Sequence, residues 1–221
     1  MTFGIDGHSM AAGYKRDQPV FTDVSIRMAG PGLRLLSGPN GVGKSTLLEV
    51  FSGFLPLLSG SLDVTGEVVF LRHTPALVPF LTVSDNLSLY TRRYGLSADD
   101  VRRFVDAFCL QEHLSKLPSE LSTGTLRKAW MLCGLLTRSD ILCLDEPFNG
   151  LDQYSCDVLA TELLQQSEER LVLVVAHQPP EKFTIEQDNR FGDLCRSVAG
   201  FGLHSVSEVS AETRSFPAEK G

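Results

Sequence analysis

Residues 38–46 form a glycine-rich loop between two apolar segments, and the loop reads Gly38-Pro39-Asn40-Gly41-Val42-Gly43-Lys44-Ser45-Thr46. Glycine permits backbone conformations with φ > 0, in which successive N–H groups can point at one anion. Lys44 supplies a positive charge for the β- and γ-phosphates, and the Ser45 hydroxyl is a hard oxygen ligand for Mg²⁺. The G-x-x-x-x-G-K-[ST] pattern therefore predicts that all nine residues bind a nucleoside triphosphate.

A second chemical feature is the pair of acids that ends the apolar segment Leu142-Cys143-Leu144-Asp145-Glu146. In open α/β sheets, ligands bind at the carboxyl ends of the strands, where a cation would explain two adjacent carboxylates. We expect Asp145 to hold Mg²⁺ through water and Glu146 to orient and deprotonate an attacking water. The alternative is a solvated acidic pair at the end of a strand. The phosphate loop upstream favours the functional interpretation.

Between these two features, Glu120-Leu121-Ser122-Thr123-Gly124-Thr125 opens a predicted helix that continues toward Leu136. A serine at a helix start is ordinarily an N-cap, and that interpretation stays open for Ser122.

Composition limits the classes of function. The 221 residues suit one α/β domain, and a net charge of −7 argues against nucleic acid as a partner. No apolar stretch reaches the roughly 20 residues of a membrane span, and the first residues lack the features of a signal peptide, so we expect a cytoplasmic protein. The five cysteines show no zinc-type spacing and are expected to be buried structural thiols.

The hydrophobic patterns predict the elements that must position these residues. Residues 20–28 and 62–71 are expected to form antiparallel strands. A helix with an apolar stripe should follow the capping pair Ser97 and Asp100. Two buried strands, 141–144 and 171–176, flank a helix near 153–167 and indicate a parallel sheet.

The ordered combination of these motifs resembles the ATP-binding cassette (ABC) ATPases, from Tyr14 to Gln178, because the family's LSGGQ signature lies between the phosphate loop and the paired acids. The resemblance implies an α/β P-loop NTPase fold with a mixed sheet core, an antiparallel β subdomain and an α-helical signature subdomain. We expect the ATP-binding domain over 1–200, its helical subdomain near 84–138, and a flexible tail over 201–221.

The resemblance also implies roles for individual residues. Tyr14 would stack on adenine, although an ordinary half-buried strand tyrosine is the alternative. His177 would contact the γ-phosphate, in a catalytic set with Glu146 and Lys44. Ser122 and Gly124 would contact the γ-phosphate bound to a second cassette, and Asn149-Gly150-Leu151-Asp152 resembles the D-loop at the seam of that dimer.

Two departures from the family pattern affect the site. Thr123 and Thr125 replace a glycine and the glutamine of the signature. The glutamine of the family's Q-loop should fall near residues 73–74, where this chain has His73 and Thr74, and the sequence does not choose between them.

The resemblance implies an ATP- and Mg²⁺-dependent hydrolase that powers a separately encoded membrane permease, on its cytoplasmic face and as a homo- or heterodimer. The chain is similar to compact cassettes such as that of the cytochrome c biogenesis haem exporter, with which it shares the sequences Asp-Glu-Pro-Phe and His-Gln-Pro. The alternatives are a soluble ABC ATPase in an assembly or scaffold complex, and a regulatory cassette that hydrolyses ATP poorly.

Overall fold

Two β-sheets and a set of helices make up the computed structural model, which describes residues 3–186 and 202–208. The strands in chain order are β1 (Gly4–Ala12), β2 (Phe21–Ala29), β3 (Gly32–Ser37), β4 (Ser59–Thr65), β5 (Val68–Leu71), β6 (Ile141–Asp145), β7 (Leu171–Val175), β8 (Phe183–Glu186) and β9 (Gly202–Glu208). The α-helices are α1 (Lys44–Phe51), α2 (Val83–Tyr94), α3 (Ala98–Ala107), α4 (Thr123–Leu135) and α5 (Gln153–Gln166). Short 3₁₀ turns cover Gln111–His113 and Pro118–Glu120.

The larger sheet has the strand order β5-β6-β7-β3-β9-β8. Its first four strands are parallel, whereas β9 runs antiparallel to β3 and β8 antiparallel to β9. Every residue of β6 and β7 is buried, as expected for central parallel strands covered on both faces. The predicted parallel pair and mixed sheet core are therefore confirmed.

Alternate side chains of the central strands enter two separate cores, because successive residues of a strand point to opposite faces. Leu142 and Leu144 pack in the core that contains α4 and α5 residues. Cys143 packs in the second core, with residues of α1, β1 and β2. The sheet is thus fixed from both sides, and so are the loops that leave its carboxyl edge. The expectation of buried thiols is confirmed for Cys133 and Cys143 but was wrong for Cys109, which is exposed.

The smaller sheet is antiparallel, with the order β2-β1-β4. The sequence predicted β2 and β4 but missed β1, whose residues include two glycines and Ser9 at φ 42°. Pairing on both sides stabilises β1 despite this weak strand propensity. The prediction for 62–71 was wrong in one respect, because Val68–Leu71 forms β5 and pairs parallel to β6 in the larger sheet.

The expectation of a flexible tail from residue 201 onward was wrong for Gly202–Glu208, which forms β9. This strand pairs with β3 and so satisfies backbone groups that would otherwise be unpaired at its edge. The rest of the expected tail lies outside the described residues. His204 of β9 also lies 2.9 Å, Nε2 to Oγ, from Ser37, the residue before the phosphate loop.

The helices α2, α3 and α4 lie in the stretch that the sequence assigned to a helical subdomain. Ser97 caps α3 by accepting a hydrogen bond from the backbone N–H of Asp100, and the Asp100 carboxylate accepts one from the backbone N–H of Ser97. The predicted capping pair is confirmed. Among the described residues, we find no helix of sufficient length and apolarity to cross a bilayer.

Replacing Ser97 with alanine should lower the free energy of unfolding by about 1 kcal/mol, because the N-cap acceptor is lost. Urea denaturation followed by circular dichroism measures this change. The control is Ser97→Thr, which keeps a hydroxyl that can accept from the Asp100 N–H and donate to its carboxylate, and it should retain most of the stability. Equal stability of the alanine variant and the unaltered protein would contradict the assigned cap.

Candidate active site

Three neighbouring strands of the larger sheet, β6, β7 and β3, deliver the sequence-predicted residues to one edge. The phosphate loop follows β3, the two acids end β6, and His177 follows β7. Because these strands are parallel, their carboxyl ends lie side by side. A cavity of about 500 Å³ opens there, and its wall includes Gly43, Lys44, Asp145, Glu146 and His177.

The phosphate loop turns into α1 through glycines in the left-handed region. Gly38, Gly41 and Gly43 have φ of 144°, 78° and 105°, which side chains with a Cβ rarely adopt. No atom lies within 4 Å of a Cβ built on Gly41, so its backbone faces open space. The N-terminus of α1, with its free N–H groups, is therefore accessible to an anion.

Lys44 is buried, with 6% of its surface exposed, and its ammonium group donates to the carbonyls of Gly38 and Pro39 at 2.7 and 2.9 Å. The charge is thus held over the loop. Val42 donates its N–H to the Pro39 carbonyl, and Thr46 is buried beneath the loop. Asn40 is exposed and lines the cavity with Gly41, Ser45 and Thr46.

Ser45 and Asp145 bring two hard oxygens together across the cavity. The Ser45 hydroxyl donates to Oδ1 of Asp145 at 3.0 Å, although α1 and β6 are far apart in sequence. Asp145 is 8% exposed, and burial raises the pKa of its carboxyl group, against the opposing effect of the Ser45 hydrogen bond. The pair fits a divalent cation, which takes such oxygens and would compensate the buried carboxylate.

Glu146 carries an unpaired carboxylate oxygen into the same cavity. Its Oε2 accepts a hydrogen bond from the backbone N–H of His177 at 3.3 Å. Its Oε1 is buried without a hydrogen-bond partner among the described residues, and the Nε2 atom of His177 lies 3.4 Å away. An unpaired buried acceptor next to an imidazole could bind and deprotonate a water molecule.

Tyr14 lies at the outer end of the cavity with 65% of its surface exposed. Its hydroxyl donates to Oε2 of Glu49 on α1 at 2.7 Å. An exposed ring of this kind can stack on a planar base.

Of the two residues at the expected Q-loop position, His73 lines the cavity. Its segment is fixed by Trp130 of α4, whose indole N–H donates to the carbonyl of Arg72 at 3.0 Å. The arginine side chain also forms an ion pair with Glu49 at 3.2 Å.

Ser122 and Gly124 are not among the residues that line this cavity in the described part of the chain. Ser122 is exposed and caps α4 by accepting from the Thr125 backbone N–H at 3.1 Å, so the N-cap interpretation is confirmed. A Cβ on Gly124 would lie 3.3 Å from the Gly150 carbonyl, which places the signature beside residues 149–152.

Sequence reasoning missed two contacts of α4. Lys128 forms a 2.6 Å ion pair with Asp152, and this hydrogen bond lowers the pKa of Asp152 to about 2. Arg127 is buried and donates to the carbonyls of Asp145 and Glu146. An arginine among the apolar residues of this predicted helix was the available signal, because buried cations require specific partners.

Comparison with known proteins agrees with this geometry. The family profile described as ABC transporter matches residues 21–149. An aliphatic sulfonates import ATP-binding protein of Pseudomonas savastanoi pv. phaseolicola (strain 1448A / Race 6) is 32% identical over 170 residues, 73% of this chain and 69% of the relative. A cytochrome c biogenesis ATP-binding export protein of Gluconobacter oxydans (strain 621H) is 33% identical over 168 residues, 75% of this chain and 78% of the relative.

A solved structure described as the ATP-binding subunit of an ABC transporter superposes with a TM-score of 0.66 at 25% identity. It covers 78% of this chain and 79% of its own. The predicted α/β P-loop fold is thereby confirmed.

Asp145→Asn should raise the thermal midpoint without ligand, because burial raises the pKa of Asp145 and so disfavours its ionised form in the folded protein. The gain in thermal midpoint should be full at pH values where Asp145 of the unaltered folded protein is ionised. It should shrink as the pH falls through the pKa of Asp145 in the folded state. ATP at 100 times its Kd should stabilise the unaltered protein by about 2.7 kcal/mol. The variant should lose the part of this stabilisation that depends on Mg²⁺.

Thermal melts between pH 4 and 8, with ATP and either Mg²⁺ or EDTA, measure both effects. The exposed Asp63, changed to Asn, is the control. A variant that keeps the full Mg²⁺-dependent increase would contradict the assignment of Asp145 as the cation site.

Proposed function

The chain belongs to the ABC transporter family as an ATP-binding and ATP-hydrolysing subunit, and from this premise we propose that it works as a dimer whose closure on ATP drives a membrane permease. The observation that carries the proposal is the meeting of phosphate loop, paired acids and His177 around one cavity.

Lys44 and the loop would hold the triphosphate. The ammonium group already bridges two loop carbonyls, so little side-chain entropy is lost when it turns to a phosphate oxygen. The N–H groups at the start of α1 add a favourable dipole for negative charge. Tyr14 would stack on the base at the outer end of the cavity.

Ser45 and Asp145 would hold Mg²⁺, since their oxygens already meet at 3.0 Å and the carboxylate is buried. When bound, the ion would neutralise charge on the phosphate oxygens. His73 lies in the same cavity wall and takes the place of the family's Q-loop glutamine in this proposal.

Glu146 would act as the general base. Its free Oε1 would accept a proton from water that attacks the γ-phosphate, while the His177 backbone N–H holds Oε2. The exposed imidazole of His177 would donate a hydrogen bond to the γ-phosphate.

A second cassette would complete the site. Ser122 and Gly124 lie outside the cavity of their own chain, and Ser122 is exposed at a helix N-terminus. Such an end fits an anion that another subunit presents. The exposed Asn149 and Gly150 lie beside it, so they would join the same dimer surface.

The permease contact would include the segment between His73 and α2, with the chain peripheral on the cytoplasmic face of the membrane. Phe80 in this segment is 78% exposed. Aromatic side chains are enriched at protein interfaces relative to the rest of the surface, which supports this placement. Because this segment begins at His73 in the cavity wall, a permease that contacts the segment would sense the bound nucleotide.

Glu146→Gln should keep ATP binding but shift the protein to a stable dimer, because the phosphate contacts remain while the general base is lost. Gel filtration with light scattering, with and without Mg-ATP, measures the mass. Turnover should fall by roughly 10²–10⁴-fold. A variant that remains monomeric in saturating ATP would argue against the shared-site dimer.

Lys44→Ala should weaken ATP binding about 10- to 100-fold, because one charge-assisted hydrogen bond contributes roughly 1.5–3 kcal/mol. Isothermal titration calorimetry measures the affinity. Lys116→Ala makes the same change of charge away from the cavity and should bind normally. Unaltered affinity of Lys44→Ala would overturn the phosphate assignment.

A further inference from the structure

The helix α4 buries the guanidinium group of Arg127 directly behind the paired acids. Arg127 is 4% exposed, and this burial lowers the pKa of its guanidinium. Its Nη2 atom donates to the backbone carbonyl of Glu146 and lies 3.4 Å from that of Asp145. The side chain thus holds the backbone of the two acids and leaves their carboxylates to the cavity.

The backbone of Glu146 needs such support. Its φ is +49°, in the left-handed region that residues with a Cβ rarely adopt, and such a conformation persists only when its surroundings enforce it. The Glu146 N–H donates to the Val175 carbonyl at 2.8 Å, and its carbonyl also accepts from Asn149 at 3.3 Å. Arg127 completes this clamp from α4.

A buried arginine is costly to desolvate, and an apolar side chain of similar volume often fills such a position with equal or greater stability. Packing alone therefore does not account for a cation here. The charges of Asp145 and Glu146 oppose the effect of burial on the pKa of Arg127 and favour its charged form, so the cation and the paired acids belong to one electrostatic cluster.

We propose that Arg127 is a positioning residue for hydrolysis: it fixes the left-handed backbone of Glu146 and couples the general base to α4. The proposal rests on the proposed function. Ser122 and Gly124, expected to meet the second subunit's nucleotide, lie on the same helix about 5–8 Å along its axis from Arg127. A rigid helix would therefore connect the arrival of that nucleotide with the orientation of Glu146.

The test compares Arg127→Met and Arg127→Lys with a matched control, Arg170→Met. Arg170 is also buried and donates to a backbone carbonyl, that of Thr137 at 2.9 Å, but it lies at the opposite edge of the sheet. Steady-state turnover gives kcat and KM, and calorimetry gives the affinity for ATP. If Arg127→Met does not fold, Arg127→Lys, which keeps the charge but not the planar fork, carries the same comparison.

Arg127→Met should lower kcat about 10- to 100-fold, as expected when a catalytic group is misplaced by about 1 Å, while ATP affinity changes less than about threefold. Arg127→Lys should be intermediate, and Arg170→Met should keep its kcat. The proposal is overturned if the kcat of Arg127→Met stays within about twofold of that of the unaltered protein. It is also overturned if the loss of turnover is explained by weaker ATP binding, or if Arg170→Met loses as much kcat as Arg127→Met.

Hydrogen–deuterium exchange of residues 145–149 provides a readout that does not depend on turnover. These amides should exchange about tenfold faster in Arg127→Met than in the unaltered protein or in Arg170→Met, because the clamp on Glu146 is opened. Equal exchange overturns the positioning role. An unaltered protein without ATPase activity would contradict the proposed function instead, and the exchange comparison would still decide the role of Arg127.

Discussion

The parallel pairing of β7 between β6 and β3 is the constraint on which the site depends. It aligns the ends of three strands that are distant in sequence, so that Ser45 can donate to Asp145 and Glu146 can face His177. Residues of all three strands enter the cores on both faces of the sheet, and the register of the strands is therefore resistant to change. Rigid strands with polar loops at one edge position reactive groups accurately.

Much of this arrangement could be predicted because it follows from local sequence. The phosphate loop, the buried strands of the parallel pair and the capping pair at Ser97 and Asp100 each have a short pattern with a physical cause. The strand β1 has no such pattern. It depends on hydrogen bonds from neighbours on both sides, and β9 likewise depends on the edge of β3. Long-range pairing of this kind is not visible in a local window of sequence.

The same distinction applies to the site. Residue types and spacing predicted most of the groups that line the cavity, but not the groups that hold them. Arg127 lies in an apolar helix, and only the folded chain reveals that it meets the carbonyls of Asp145 and Glu146. Trp130 similarly gave no chemical signal, yet it fixes the segment that carries His73. Supporting residues act through tertiary contacts, so their type alone does not identify them.

These supporting contacts converge on α4. Its first turn presents Ser122, Arg127 reaches Glu146, Lys128 pairs with Asp152, and Trp130 holds Arg72. A helix moves as one body, because its backbone hydrogen bonds are internal. A displacement at the proposed dimer surface or at the proposed permease contact would therefore reach Glu146 and the His73 wall of the cavity together. Under the proposed function, α4 is therefore the element through which the second subunit, the paired acids and the permease contact would be linked.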